Sequence, residues 1–189
     1  MYTYSIPKRG NIINWKGFGA KRGSRHMKKS YDAAIEAAVD FVTYRERTEA
    51  EVREKLRSYD FSETEIDEAV QELKDALLLN DEQYAQDYVQ SRLAQRPVSK
   101  RTLRTKLKKH KIDEFLIDET IMQLPDTSDY DNAYVEAYSY LLNNLPRTDN
   151  IKKLYARLLR RLISHGYPYD DARSAIQRAQ RDIENPDLL

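Results

Sequence analysis

An apolar ladder copied three times along the chain limits what it can fold into. In the middle of the sequence its rungs are Leu103, Leu107, Ile112, Ile117, Ile121 and Leu124. Steps of three and four keep side chains on one helical face, and the five-residue steps mark a short turn between two helices. The ladder occurs earlier as Val52, Leu56, Phe61, Ile66, Val70 and Leu73, and later as Leu158, Leu162, Tyr167, Ala172, Ile176 and Ala179. Leu56, Leu107 and Leu162 stand 51 and 55 residues apart, so a helix–turn–helix unit recurs. A lone hairpin of this kind cannot cover its apolar face, which predicts stacked units sharing a continuous core. The expected fold is all-α: an elongated array of three tandem three-helix repeats.

Composition fits narrow apolar stripes on charged helices. The chain is 40% hydrophobic and 33% charged, with a mean hydropathy of −0.82. Five Gly and six Pro are too few for a turn-rich all-β protein. With no Cys there is neither a disulfide framework nor a thiolate metal site. No apolar run nears membrane-spanning length and no secretory pattern is legible, so the cytoplasm is the expected compartment and no membrane contact is expected.

Charge is segregated behind a net of +1. Residues 1–30 carry eight Lys/Arg and no acid, whereas residues 31–80 carry six bases against fourteen acids. Eight bases and no acid lie from Arg96 to Lys111, and Lys152, Lys153, Arg157, Arg160 and Arg161 follow one another without an intervening acid. A solvated face normally mixes signs, so these two basic helices point to a polyanionic or acidic partner.

Taken in order, residues 1–29 form a basic leader, set aside because Gly23-Ser24-Arg25-His26-Met27 reads as a vector-derived junction with Met27 a native start; the alternative is a basic arm reaching nucleic acid. Repeat 1 is expected over 30–79, repeat 2 over 80–126, repeat 3 over 127–184, and a tail over 185–189. A first helix from about Asp32 to Tyr44 should turn Ala34, Ala37, Ala38 and Phe41 inward. Thr48 with Glu51, and Ser62 with Glu65, read as capping boxes opening the next two helices, the latter running to Leu79. Asn80 opens the second repeat, with Tyr84, Ala85, Tyr88 and Val89 inward, and Pro97 closes that helix. Ser99 caps Lys100 to His110, and Asp113 to Leu124 completes the repeat. Pro125 to Asp129 reads as a breaker before helices at Asp131–Asn144, Asp149–His165 and Pro168–Ile183. Gly166 suits a left-handed C′ position and Pro168 the first position of a helix.

Catalytic chemistry finds no support. The sequence has no glycine-rich phosphate loop, no cofactor-binding motif and no Cys nucleophile. His110 and His165 fall at helix C-termini, where the dipole favours them without any metal. Tyr84, Tyr88, Tyr134 and Tyr138 read as core or inter-repeat contacts, since few aromatics interleave the basic helices.

Three segments carry a family likeness: Arg45-x-Arg47-Thr48-x-x-Glu51-Val52-x-x-Lys55-Leu56, then Phe61-Ser62-x-x-x-Ile66, then Leu79-Asn80-Asp81-Glu82-x-Tyr84-Ala85-x-x-Tyr88-Val89-x-Ser91-Arg92. Together they resemble the RecX regulatory proteins, and the likeness extends from about Asp32 to Ile183. It implies tandem three-helix repeats and a non-enzymatic inhibitor that lodges in the groove of the RecA–DNA filament. The family often has Gly before the apolar turn residue; here only Gly166 does so, with Asp60 and Lys111 in the equivalent places. The expected contacts to RecA or to the phosphates of single- or double-stranded DNA are Lys100, Arg101, Arg104, Lys108, Lys109, Lys152, Lys153, Arg157, Arg160 and Arg161. Arg47 and Arg92 are expected to form inter-repeat ion pairs. A generic DNA- or RNA-binding helical module without RecA dependence is the alternative, and an elongated monomer the default state.

Overall fold

The computed structural model describes residues 25–185, and the leader up to residue 24 and the end of the tail lie outside the described residues. Nine α-helices follow one another within that span: α1 (Arg25–Tyr44), α2 (Glu49–Arg57), α3 (Glu63–Asp75), α4 (Asp81–Gln95), α5 (Lys100–Lys109), α6 (Glu114–Met122), α7 (Ser128–Asn144), α8 (Ile151–Ser164) and α9 (Tyr169–Glu184). No strand occurs among the described residues. They group in threes, and every pair of helices with substantial packing belongs to one triplet.

Each triplet folds the same way because the ladder occupies the same places in it. In the middle unit Leu107 is the third residue from the end of the α5 turn, and Ile112 follows the left-handed Lys111 (φ 58°). The Lys111 amide donates to Lys108 O and the Ile112 amide to Leu107 O, the paired bonds of a Schellman motif. Asp60 (φ 63°) and Gly166 (φ 91°) do the same in the outer units. The five-residue steps Leu56–Phe61, Leu107–Ile112 and Leu162–Tyr167 are therefore the apolar contact across each turn. A fourth left-handed residue, Leu77 (φ 56°), closes α3 at Asp75, before the expected Leu79, so that Leu79 can turn back into the core.

The expectation of one continuous core is corrected. There are three separate clusters: Ala34 to Leu79, Ala85 to Leu124, and Ala133 to Ala179. The first helix of each unit is the reason. Ala34 and Ala38 of α1, Ala85 and Val89 of α4, and Ala133 and Ala137 of α7 are all buried, and these small residues let the first helix lie close over the hairpin formed by the other two. A third helix supplies the cover that stacking was expected to give.

Several boundaries also move. Helix α1 begins at Arg25, not Asp32, because the polar run through Ser30 is rich in helix formers. Helix α7 begins at Ser128, and its Ser128 and Asp129, read as part of a breaker, are buried in its first turn. Helix α8 starts at Ile151, where Asn150 accepts from the Lys153 amide. Pro168 is the N-cap of α9 and not its first residue. Of the two capping boxes, Ser62–Glu65 is complete. Thr48 accepts from the Glu51 amide as expected, but the Glu51 carboxylate goes to His110 instead.

Candidate functional site at the joints between units

With the apolar contacts confined to each unit, polar groups connect one unit to the next, and they do so twice in the same way. Thr48, the N-cap of α2, donates its hydroxyl to His110 O, the C-cap carbonyl of α5, at 2.8 Å. Ser99, the N-cap of α5, donates to His165 O, the C-cap carbonyl of α8, at 2.7 Å. The first amide of α2, from Glu49, donates to Asp81 Oδ1 of α4 at 2.8 Å; the first amide of α5, from Lys100, donates to Asp129 Oδ1 of α7 at 2.7 Å. Each joint thus satisfies orphan donors of one helix start with groups from the next unit, and an orphan carbonyl of one helix end with a hydroxyl. Helix α8 abuts the start of α5, and α5 abuts the start of α2. Thr48 and Ser99 are fully buried.

The capping aspartates, Asp129 buried and Asp81 partly so, have their acidity altered. Burial raises the pKa of Asp81, opposed chiefly by the bond from the Glu49 amide; burial raises that of Asp129, opposed by the Lys100 amide. Beside Asp81, burial alone would raise Glu49 as well, but hydrogen bonds from Lys74 and Arg53 hold it below the usual carboxylate range.

Sequence reading recognised the two His as helix ends but missed that they are joint residues. A usable signal was present: Thr48 to Ser99 and His110 to His165 repeat the 51- and 55-residue offsets of the ladder.

The two joints are loaded differently. At the first, His110 Nδ1 faces both the Tyr84 hydroxyl and Glu51 Oε1 at 3.2 Å, and the Tyr88 ring lies 5.2 Å away, edge to face. Arg45 and Arg47 sit 3.7 and 3.8 Å from Glu51 Oε2, and Lys111 reaches Glu54 at 2.6 Å. At the second, Glu136 of α7 pairs with Arg161 and His165, both at 2.8 Å. Tyr167 lies beneath. Burial, with Glu136 and Asp129 adding to it, holds its hydroxyl well above the usual phenol range, and Arg96 opposes the shift. Tyr134 and Tyr138 lie within the third unit, where Tyr134 donates to Asp182 of α9.

The ten expected contact residues separate into two sets. Arg104 pairs with Asp118 at 2.6 Å, Lys108 with Glu114 at 2.5 Å, and Arg161 with Glu136. Lys100 directs Nζ to Leu124 O at 3.4 Å, and Arg160 donates through Nε to Ala156 O in its own helix. Arg101, Lys109, Lys152, Lys153 and Arg157 are exposed and have no ion pair among the described residues. The acids that neutralise α5 come from α6, which a one-dimensional charge run does not reveal. Arg47 does not bridge repeats: it pairs with Glu51 of its own unit and lies over the Phe41 ring at 4.0 Å. Arg92 lies over Tyr88 of its own helix.

Among the described residues no cluster of His, Cys, Asp or Glu is placed to hold a metal, and no helix is long and apolar enough to cross a membrane. Fold and joints define a tandem three-helix-repeat protein, its units coupled end to end by helix caps.

Residues 34–73 match the family profile described as RecX, first three-helix domain, and residues 80–121 match RecX, second three-helix domain. The "Regulatory protein RecX" of Clostridium botulinum strain Alaska E43 is 30% identical over 145 residues, covering 76% of this chain and 67% of that protein. The protein of the same name from Clostridium perfringens strain 13 is 32% identical over 133 residues, or 70% of this chain; that match spans 61% of the Clostridium protein. The crystal structure of RecX from Lactobacillus salivarius superposes with a TM-score of 0.73 at 24% identity, over 81% of this chain and 98% of that one. The chain belongs to the RecX family, whose matched relatives are named regulatory proteins.

Proposed function

We propose that the chain is a non-enzymatic regulator that docks on the RecA–DNA filament and restrains RecA recombinase and co-protease activity through its cationic helices. Beside family membership, one observation carries this reading. Helices α8 and α5 meet end to end, and along them Arg101, Lys109, Lys152, Lys153 and Arg157 stand exposed without an acid. Such cations keep their counterions until a phosphate or an acidic protein surface displaces them. Inhibition then requires that the chain bind an inactive filament state more tightly than the active one, because a ligand shifts an equilibrium only by its differential affinity for the two states. A repeating partner also suits a repeating protein, since contacts made by linked units reinforce one another. Lys100, Arg104, Lys108 and Arg161 already have intramolecular partners, with which a filament contact would compete.

The test is RecA ATPase and strand exchange with charge-reversed variants. Arg101→Glu with Lys109→Glu, and Lys152→Glu with Lys153→Glu and Arg157→Glu, should each raise the concentration needed for inhibition by about tenfold or more, the scale of losing one or two ionic contacts, with helicity unchanged. Full inhibition by both would count against the cationic helices. Salt-sensitive binding of bare DNA with no effect on RecA would replace the reading with a generic nucleic-acid module.

A further inference from the structure

The joints repeat a wiring whose two halves are also present, unmet, at opposite ends of the array. Thr48, Ser99 and Asn150 cap α2, α5 and α8 at intervals of 51 residues. Each accepts from the amide three residues on, of Glu51, Thr102 and Lys153. Thr48 and Ser99 donate their hydroxyls to the C-cap carbonyl of the next unit. Asn150 takes the Lys153 bond on its side-chain oxygen and keeps its NH2 as a donor, which nothing meets among the described residues. Tyr59 stands at the end of α2 where His110 and His165 stand in the other units, and its carbonyl has no donor among the described residues. Asn150 is exposed, as are Tyr59 (51%) and the neighbouring Ile151 (53%).

Charge at these two ends is opposite. At the second joint the left-handed Gly166 lies against Ser99, Thr102 and Arg101. The same places on α8 hold Asn150, Lys153 and Lys152, and both lysines are exposed without an ion pair among the described residues. The left-handed place at the end of α2 holds Asp60, likewise without an ion pair among them. Lys111, with a longer side chain than Asp60, occupies this place at the first joint, so a Cβ here is no obstacle to the contact. Joining the end of α2 to the start of α8 therefore sets one carboxylate before two ammonium groups.

We propose that copies of this chain associate head to tail, the first unit of one copy docking on the start of α8 of another as each unit docks on its predecessor within the chain. Asn150 donates to Tyr59 O of the neighbouring copy, and Lys152 and Lys153 pair with its Asp60. Because the two surfaces are unlike, the contact does not close on a pair, and copies add in a line. A free phosphate would answer the lysines but leave Asp60 and the Tyr59 carbonyl unmet, whereas a second copy answers both ends. Within the chain, linkers hold each joint at an effective concentration of about millimolar. The joints are formed at that value, so the same contact between separate copies should have a dissociation constant of about 1 mM or below. The proposal goes beyond the filament reading. Lys152 and Lys153 figure in both, so its test contains neither RecA nor DNA.

Sedimentation equilibrium of the full chain at low salt, up to about 1 mM protein, supplies that test. The weight-average mass should rise above the 22.3 kDa of one copy and keep rising with concentration. Asp60→Lys, and Lys152→Glu with Lys153→Glu, should each weaken association by about tenfold or more, the scale of losing one or two ionic contacts. Helicity should be unchanged in both by circular dichroism, since these side chains are exposed and a lysine already holds the place of Asp60 at the first joint. An equimolar mixture of the two variants should recover the wild-type mass, because each reversed end then meets its opposite. The mass of one copy at about 1 mM, a mass that levels off at two copies, wild-type association by either variant, or no recovery in the mixture would overturn the proposal. Chains that associate in this way yet leave RecA untouched uphold it, and monomeric chains that inhibit RecA overturn it, so the two readings fail separately.

Discussion

The joint between units one and two and the joint between units two and three use the same backbone wiring and differ in what surrounds it. At the first, Glu51 sends its carboxylate to the His110 ring, and Tyr84 and Tyr88 close around that ring. The position equivalent to Glu51 at the second joint is Thr102, which donates to the same carbonyl as Ser99, that of His165. The carboxylate beside the second histidine comes instead from Glu136 on α7. Two hydroxyls on one carbonyl hold α5 onto the end of α8, and among the described residues no aromatic ring packs on His165 as Tyr84 and Tyr88 do on His110. Repetition fixes where units meet, and a few unlike residues decide whether the meeting place is full or open.

Gly166 offers the hardest blow to this contrast. Its counterpart at the first joint, Lys111, carries a full side chain that reaches Glu54. A Cβ on Gly166 would lie 2.7 Å from Ser99 Oγ and 3.3 Å from the Arg101 Cβ, at a φ of +91° that disfavours any side chain. Gly166→Ala should destabilise the chain by about 2–4 kcal/mol, combining left-handed strain with steric overlap. Chemical denaturation followed by circular dichroism measures it. A loss below about 1 kcal/mol would mean that α5 and α8 do not approach this closely.

Removing one cap hydroxyl at each joint comes next. Thr48→Val preserves shape but leaves the Glu51 amide and His110 O without their partner, for a cost of about 1–2 kcal/mol. Ser99→Ala should cost less, because Thr102 still donates to His165 O at 2.7 Å. Equal losses would show that the second hydroxyl contributes nothing.

The ladder, the helix count of each unit and the left-handed Gly166 were legible because they depend on local spacing; Asp60 and Lys111 were read only as standing where the family has Gly, and the left-handed Leu77 was not foreseen. What escaped is what depends on proximity between segments far apart in sequence. Asp81 looks like an ordinary first-turn acid and Asp129 like part of a breaker, and nothing local says that they cap the helix of the preceding unit. The cations of α5 looked unopposed until Asp118 and Glu114 were placed beside them by α6.

Those capping aspartates provide a pH-dependent comparison. Asp81→Asn keeps an acceptor for the Glu49 amide, whereas Asp81→Ala removes it, so the alanine variant should be about 1 kcal/mol less stable than the asparagine one. The folded pKa of Asp81 is raised, so the native state binds its proton more readily than the unfolded chain. Its contribution to stability therefore grows as pH falls through the raised value towards the ordinary carboxylate range. Glu49, with its pKa lowered, behaves oppositely: its stabilisation is present above the ordinary value and is lost on acidification. Wild type should lose stability in acid less steeply than Asp81→Asn, in which the Glu49 effect is no longer offset. Parallel profiles would mean that Asp81 does not titrate differently on folding.

The smallest effect concerns the three turns that close α2, α5 and α8. A left-handed conformation is disfavoured for residues with a Cβ, less so for Asp than for most, and is free of that penalty for Gly. Asp60 adopts φ 63° and makes no ion pair among the described residues, so Asp60→Gly should stabilise the first unit by about 0.5 kcal/mol after the added entropy of the unfolded chain is deducted. Lys111→Gly relieves more strain but loses the contact with Glu54 that ties the first joint. Its net gain should therefore be smaller at low salt and rise as salt screens the exposed pair. Denaturation midpoints at two ionic strengths test both, and a gain for Lys111→Gly that does not depend on salt would show that Glu54 contributes nothing to the joint.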